Sequence, residues 1–196
     1  PLNTEGVEEL IKLKPKVPVL ALNQTNKIES NIFQFGLAKQ EDANALMQVM
    51  QKDKIKRLIV YREDLSKSET EQFLLALISK APFNVEILDR YPQKLKNKEG
   101  LLLLGHNNWL MQAVNFPKKS IYVQALTVEE NKLLPVGVKY CDVPSLYEKK
   151  MKNKLLSNRD EQTPSAYQRL IAFGADSWKI AEYLIAKSKP QKLDFE

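Results

Sequence analysis

The apolar positions of the chain fall into two alternating patterns, short runs of aliphatic residues and longer stretches stepping every three or four positions. Val17-Pro-Val-Leu-Ala-Leu22, Ile32-Phe-Gln-Phe-Gly36, Arg57-Leu-Ile-Val-Tyr61 and Asn84-Val-Glu-Ile-Leu88 are runs of the first kind. So are Leu101-Leu-Leu-Leu-Gly105, Ser120-Ile-Tyr-Val-Gln124 and Val136-Gly-Val-Lys-Tyr140. Their length and β-branched content predict strands. Between them, residues 4–13 (Val7, Leu10, Ile11), 39–51 (Ala43, Leu46, Met47, Met50) and 65–80 (Phe73, Leu74, Leu77, Ile78) step at helical spacing. Glu5, Glu8 and Glu9 sit early in the first helix, where the helix dipole favours acids, and Pro15 stops it. The third is opened by Ser66 or Ser68 and ended by Pro82, and a further helix opens at His106-Asn107-Asn108 and runs through Val114. Strands alternating with helices of this length predict an α/β fold with parallel sheets.

The longest periodic stretch lies near the end. Tyr167, Ile171, Gly174, Trp178, Ala181 and Ile185 recur at three- and four-residue steps, with Leu170 and Leu184 beside them. This predicts a helix of about six turns, started by Thr163-Pro164, since threonine caps free N–H groups and proline suits the first turn. Gly174 in its middle costs about 1 kcal/mol against alanine. The expected return is close approach of another backbone, with Trp178 packing one turn further on. The stretch therefore reads as a core helix that closes the architecture.

Size and charge narrow the class. A chain of 196 residues, 43% hydrophobic and 28% charged, has the composition of a soluble globular protein and makes one sizeable domain or two small lobes. Leu101-Leu-Leu-Leu104 is the most apolar run and far too short to span a bilayer. No signal-peptide pattern is present and the first residue is Pro1, so the natural product is expected to be trimmed. One cysteine, Cys141, excludes an internal disulfide, and one histidine with one cysteine argues against a zinc site. The net charge of +6 raises the question of an anionic partner. Lysines cluster in Lys94-Leu-Lys-Asn-Lys98 and Lys149-Lys-Met-Lys-Asn-Lys154, yet no aromatics alternate with them as nucleic-acid stacking requires. A solvated basic face is the plain reading; an acidic protein or an anionic envelope polymer are the others.

Catalytic patterns do not assemble. No G-x-S-x-G elbow and no glycine-rich phosphate loop occurs, and the six glycines stand singly. Glu8-Glu9 and Glu129-Glu130 are adjacent in sequence, so their side chains diverge. Cys141, beside Asp142, has no base near it in sequence. No catalytic residue, metal ligand or cofactor is assigned. Parallel sheets bind ligands beyond their strand carboxyl ends, which singles out Asn23, Gln24, Arg62, His106, Asn107 and Gln124 as a candidate ligand-binding set. Polar loop residues and a helix-capping His106 explain the same positions without a ligand.

Several segments together resemble one family. Pro1-Leu2 followed by Val7-Glu-Glu-Leu10, the strand and turn Pro18-Val-Leu-Ala-Leu-Asn-Gln24, and Phe35-Gly-Leu-Ala-Lys-Gln-Glu-Asp-Ala43 are similar to elements of the C-terminal domain of the LppC/LpoA family. Leu134-Pro-Val-Gly-Val-Lys-Tyr-Cys-Asp-Val-Pro144 resembles another, and Ala172-Phe-Gly-Ala-Asp-Ser-Trp178 is the most specific match. Lys39-Gln40 departs from the family's Ser-Pro type helix start, and the segment between Tyr91 and Leu101 is shorter than in longer members.

The family comprises outer-membrane lipoproteins that activate penicillin-binding proteins. The resemblance implies a two-lobed fold like type I periplasmic binding proteins, with residues 1–82 and 155–187 in one lobe, 83–154 in the other and 188–196 as a tail. It implies that the first lobe is incomplete at its N-terminus, because the family's first strands precede Pro1. The implied role is a non-catalytic domain that docks on a bifunctional peptidoglycan synthase and raises its activity. It works on the periplasmic side of the outer membrane, without nucleic acid, and touches membrane only through a lipid anchor absent from this chain. Trp109, Tyr91, Tyr147 and Tyr122 are candidate docking anchors. The alternative is a small-ligand receptor using Asn23, Gln24, Arg62, His106, Asn107 and Gln124 in an inter-lobe cleft; an enzyme is the third and weakest reading.

Overall fold

A computed structural model describes residues 3–36, 39–112, 120–129, 132–143, 146–150 and 164–187. In chain order the elements are α1 (Thr4–Leu13), β1 (Val19–Ala21), β2 (Ile32–Gln34), α2 (Lys39–Lys52), β3 (Arg57–Arg62) and α3 (Lys67–Lys80). They are followed by β4 (Asn84–Leu88), β5 (Glu99–Leu104), α4 (Asn107–Gln112), β6 (Ile121–Val123), β7 (Val138–Lys139) and α5 (Ser165–Lys187). The backbone divides into two compact units, Pro1–Ala38 with Val143–Glu196 and Lys39–Asp142.

In the first unit, α1 starts where the Asn3 side chain accepts the N–H of Gly6 at 2.9 Å, and it ends at Lys14, whose left-handed φ of 46° turns the chain before Pro15. β1 and β2 pair in parallel, Val19 opposite Ile32 and Ala21 opposite Gln34. Val7, Ala21 and Ile32 form a small core, with Leu10 and Ile11 packed on it.

The second unit holds a five-stranded sheet in the order β4-β3-β5-β6-β7, parallel at every pairing. On one face Leu58, Val60, Leu102, Leu104 and Tyr122 pack with Ala43, Leu46 and Met50 of α2 and Phe73, Leu74 and Leu77 of α3. On the other, Ile59, Leu101, Leu103, Ile121 and Val123 meet Leu110 of α4. Because β5 is buried on both faces, Leu101 to Leu104 read as an unbroken apolar run rather than an alternating one. The α/β fold with parallel sheets expected from the sequence is the fold observed.

The structure departs from expectation in three places. The division expected near residue 82 falls within the five-stranded sheet: β3 pairs with β5 as well as with β4, so residues 57–82 side with the segment that follows them. Secondly, the third helix begins with a 3₁₀ turn at Asp64–Ser66. Ser66 stands at the N-cap of α3 without capping it; its hydroxyl lies 3.3 Å from the Leu104 carbonyl oxygen. The expected helix beyond Gln112 and the Thr163 cap lie outside the described residues.

The third departure is α5, where much of the apolar stripe is exposed, although Ile171, Ala181 and Leu184 are partly buried. Gln168, Ala172 and Ser177 are its buried residues, while Tyr167, Leu170, Trp178 and Ile185 are 62, 53, 68 and 72% exposed. Among the described residues no atom lies within 4 Å of where a Gly174 Cβ would stand, and Trp178 is exposed rather than in their core. The helix rests instead on its opposite side, where Phe173 stacks on Phe35 with ring centroids 5.0 Å apart. Both parallel sheets form without the tryptophan that was expected to close them.

Candidate functional site

The strand order reverses direction at β3: β4 adds on one side of it, and the chain then crosses to place β5 on the other. The carboxyl ends of β3 and β5 therefore flank a topological switch point, the position at which open α/β sheets present a crevice. Arg62 and Glu63 leave β3 here, and Gly105, His106 and Asn107 leave β5. Gln124 follows β6 in extended backbone.

Glu63 organises this edge. Its Oε2 accepts the His106 backbone N–H at 2.8 Å and lies 2.8 Å from His106 Nδ1. The carboxylate is mostly buried while the imidazole is half exposed. Gly105 makes the approach possible, because a Cβ there would stand 2.5 Å from Trp109 Cε3 and 2.7 Å from Glu63 Cβ. Glu63 and the Trp109 indole thus both stand close against Gly105 at the carboxyl end of β5. Thr127 donates its hydroxyl to the Gly105 carbonyl at 2.8 Å, and Asn107 Nδ2 donates to the Leu133 carbonyl at 3.3 Å. Arg62 pairs with Glu71 of α3. Arg62 Nε and Gln124 Oε1 are buried without a hydrogen-bond partner among the described residues.

Of the six positions singled out by sequence, Arg62, His106, Asn107 and Gln124 belong to the second unit and gather at this edge. Asn23 and Gln24 belong to the first unit, on the turn after β1, where Asn23 Oδ1 accepts the Gln24 N–H at 2.8 Å. A Cβ at Gly36 would lie 3.3 Å from Gln24 Cγ, so that turn is held beside the end of β2. Sequence reasoning missed Glu63 and Thr127. Glu63 had a signal, as the first acid after a buried strand; Thr127 had none, because its partner is a backbone carbonyl 22 residues away.

Aromatic residues line the face of the sheet opposite α2 and α3. Tyr61 lies 5.3 Å from Trp109 and 5.7 Å, edge on, from Tyr91, and Tyr91, Trp109 and Leu95 pack against that core. Burial raises the Tyr91 hydroxyl above its ordinary pKa. Among the expected anchors, Tyr147 is 59% exposed and Tyr122 is fully buried. Tyr122 donates to Asp53 Oδ2 at 2.6 Å, and burial together with that carboxylate holds its hydroxyl well above the usual range. It is a core residue, not an anchor.

The remaining chemistry is quiet. Cys141 is half-buried, and burial followed by Asp42 and Asp142 pushes its thiol up, away from a reactive thiolate. Among the described residues no group of three His, Cys, Asp or Glu side chains is placed to hold a metal. No described helix is long and apolar enough to cross a membrane.

No protein-family model matches the chain, and no curated protein matches it in sequence. Solved structures do. The C-domain of LpoA from Haemophilus influenzae, described as a regulator of PBP1A, superposes with a TM-score of 0.64 at 18% identity, over 97% of this chain and 69% of that one. Full-length LpoA from the same organism matches with a TM-score of 0.63 at 16% identity, over 92% of this chain. The chain spans 38% of the length of the full-length structures. The resemblance read from scattered sequence segments and the match in three dimensions agree: the chain has the fold of an LpoA C-terminal domain.

Proposed function

We propose that this chain is a non-catalytic regulatory domain of the cell envelope that binds a bifunctional penicillin-binding protein and raises its peptidoglycan-synthesising activity. The observation that carries the reading is the fold likeness over 97% of the chain to a domain described as a regulator of PBP1A. The site chemistry fits a docking role: Glu63 and Trp109 crowd Gly105 at the carboxyl end of β5, and burial pushes the Cys141 thiol up, away from a reactive thiolate. On this reading the protein works on the periplasmic side of the outer membrane, as part of a lipid-anchored polypeptide. The half-buried aromatic group of Tyr61, Tyr91 and Trp109, with exposed Tyr147, supplies docking anchors of the type that dominate protein interfaces.

The test is a pull-down of purified candidate synthases with the natural full-length protein, followed by a transpeptidase assay of any pair that forms. Binding with a rise in cross-linking supports the reading. Failure to bind every bifunctional synthase of the source cell ends it. The small-ligand reading has its own measurement, since a ligand that binds only the folded state raises the melting temperature. A shift with amino acids, sugars or peptidoglycan fragments that is lost in Gln124→Leu would move the assignment to a receptor.

A further inference from the structure

The second unit carries its charge unevenly. Its strands run parallel and so start at one edge, and α2 and α3, which lead into β3 and β4, end at that same edge. Arg57 lies opposite both Asn84 and Glu99. The residues just before them are tied together: the Lys56 N–H donates to the Lys98 carbonyl at 2.9 Å, and the Asn84 N–H to the Lys56 carbonyl at 3.2 Å. Lys56, Lys96 and Lys98 stand along this row, and Lys52, Lys54 and Lys80 at the helix ends beside it, all of them exposed. The acids nearest them are engaged elsewhere, Glu86 and Glu99 by Arg57 and Asp53 by Lys139. Among the described residues no ion pair reaches any of these lysines. Acids gather instead towards the opposite edge, where Glu41 and Asp42 open α2 and Glu63 and Asp64 follow β3.

We propose that the amino edge of the five-stranded sheet is a contact surface for an anionic lipid bilayer. An ammonium on a four-carbon stem is a hydrated, mobile point charge, suited to many exchangeable headgroup phosphates rather than to one fixed partner. Protein interfaces are depleted in lysine and anchored by arginine and aromatic residues. At this edge Arg57 is bound by Glu86 and Glu99, and Phe83 packs against the core. A linear polyanion is gripped along a groove, with aromatics to stack on where it is a nucleic acid. The lysines form two rows side by side, one at strand starts and one at helix ends, and a charged bilayer presents its headgroups in two dimensions likewise. The contact gives the chain a membrane attachment of its own beside any lipid anchor, and the synthase-docking role does not depend on it.

The attraction is electrostatic, so charge and salt set its strength. Each lysine brought against an anionic membrane contributes a factor of about five in affinity, and the field decays over about 10 Å at ~0.1 M salt. No apolar side chain has to enter the hydrocarbon for this, so the contact is reversible.

Co-sedimentation of the chain with vesicles of mixed phosphatidylglycerol and phosphatidylcholine, at ~0.1 M salt, tests this. The expected result is binding that vanishes on phosphatidylcholine alone and at ~1 M salt. Lys56→Gln, Lys80→Gln and Lys96→Gln combined should weaken it about a hundredfold, while arginine at the same three positions keeps it. The matching control removes as much charge from the first unit, with Lys12→Gln, Lys14→Gln and Lys16→Gln, and should cost less than about fivefold. All these positions are exposed, and thermal melts confirm that the variants fold. Absence of binding at ~0.1 M salt overturns the proposal, and so does equal binding to phosphatidylcholine alone. Equal losses in the two glutamine triples also overturn it, since net charge and not this edge would then be responsible. Binding to polyglutamate, polygalacturonate or duplex DNA with none to the vesicles would assign the edge to a soluble polyanion instead.

Discussion

α3 and α5 carry the same kind of pattern and meet opposite fates. In α3, Phe73, Leu74 and Leu77 step at helical spacing and are 1, 1 and 0% exposed against the five-stranded sheet. In α5, Tyr167, Trp178 and Ile185 step just as regularly and stand mostly in water. The difference lies in what each helix has to lie on. β3, β5 and β6 give the second unit a sheet broad enough to cover a helix face, whereas the first unit pairs only β1 with β2 among its described strands. Periodicity marks a face that excludes water well; the sheet beneath decides whether that face is inside.

The largest expected effect comes from breaking the buried side of the comparison. Phe73→Ala removes an aromatic ring from a core packed on all sides and should destabilise the protein by about 3–5 kcal/mol, read as a lower urea midpoint. A loss below about 1 kcal/mol would mean that the α3 face is loosely packed and that the contrast with α5 is overstated.

This contrast also explains what the sequence disclosed. Seven strands and the helices between them were legible because β3 and β5 are dense in Leu, Ile and Val, bounded by polar turns and crossed by parallel neighbours on both sides. The candidate positions Arg62, His106, Asn107 and Gln124 were legible from strand ends alone. Glu63 left only the signal of an acid following a buried strand; its role depends on β5 lying next to β3 and on Gly105 leaving room, and neither is a local property. The orientation of α5 was illegible for a similar reason: its stripe is the most regular in the chain, and regularity carries no information about a covering surface.

The next effect probes how the broad sheet is braced. Asp53 accepts hydrogen bonds from Tyr122 at 2.6 Å and from Lys139 at 2.6 and 2.7 Å. Burial works to raise its carboxyl, but the Lys139 and Tyr122 hydrogen bonds outweigh it and leave the group below its ordinary 3.8. A depressed carboxyl contributes stability that is fully present above the unfolded value and lost as pH falls through the folded one. Acid unfolding below about pH 4 should therefore be milder in Asp53→Asn, which starts out about 1.5–3 kcal/mol less stable at pH 7. Tyr122 works in the other direction. Its hydroxyl is raised above 10.0 by burial and Asp53, so its contribution holds below pH 10 and fades as pH climbs past it. Urea midpoints for wild type and Asp53→Asn across pH 2–11 check both signs; parallel curves would remove Asp53 as a brace.

On the open side of the comparison the expected change is smaller and has the opposite sign. Gly174 has a helical backbone, and among the described residues none lies within 4 Å of where its Cβ would stand, so Gly174→Ala should add about 1 kcal/mol of helix stability with no clash to offset it. A core glycine at a helix crossing would lose stability on the same substitution. A lower melting temperature for Gly174→Ala would thus restore the buried reading of α5 that its sequence pattern suggested.

The smallest effect draws the sharpest line. Trp178 is the largest side chain on α5, and its removal from a core would cost about 3–5 kcal/mol. At 68% exposure, Trp178→Ala at low micromolar concentration should change stability by no more than about 0.5 kcal/mol, as surface substitutions generally do. The helix backbone gains slightly from alanine while the ring loses only its partial contact with the turn beneath it. Measured beside Phe73→Ala, the pair gives a ratio of effects of about six or more if the two faces differ as described. A ratio near one would place both helices in the same kind of environment.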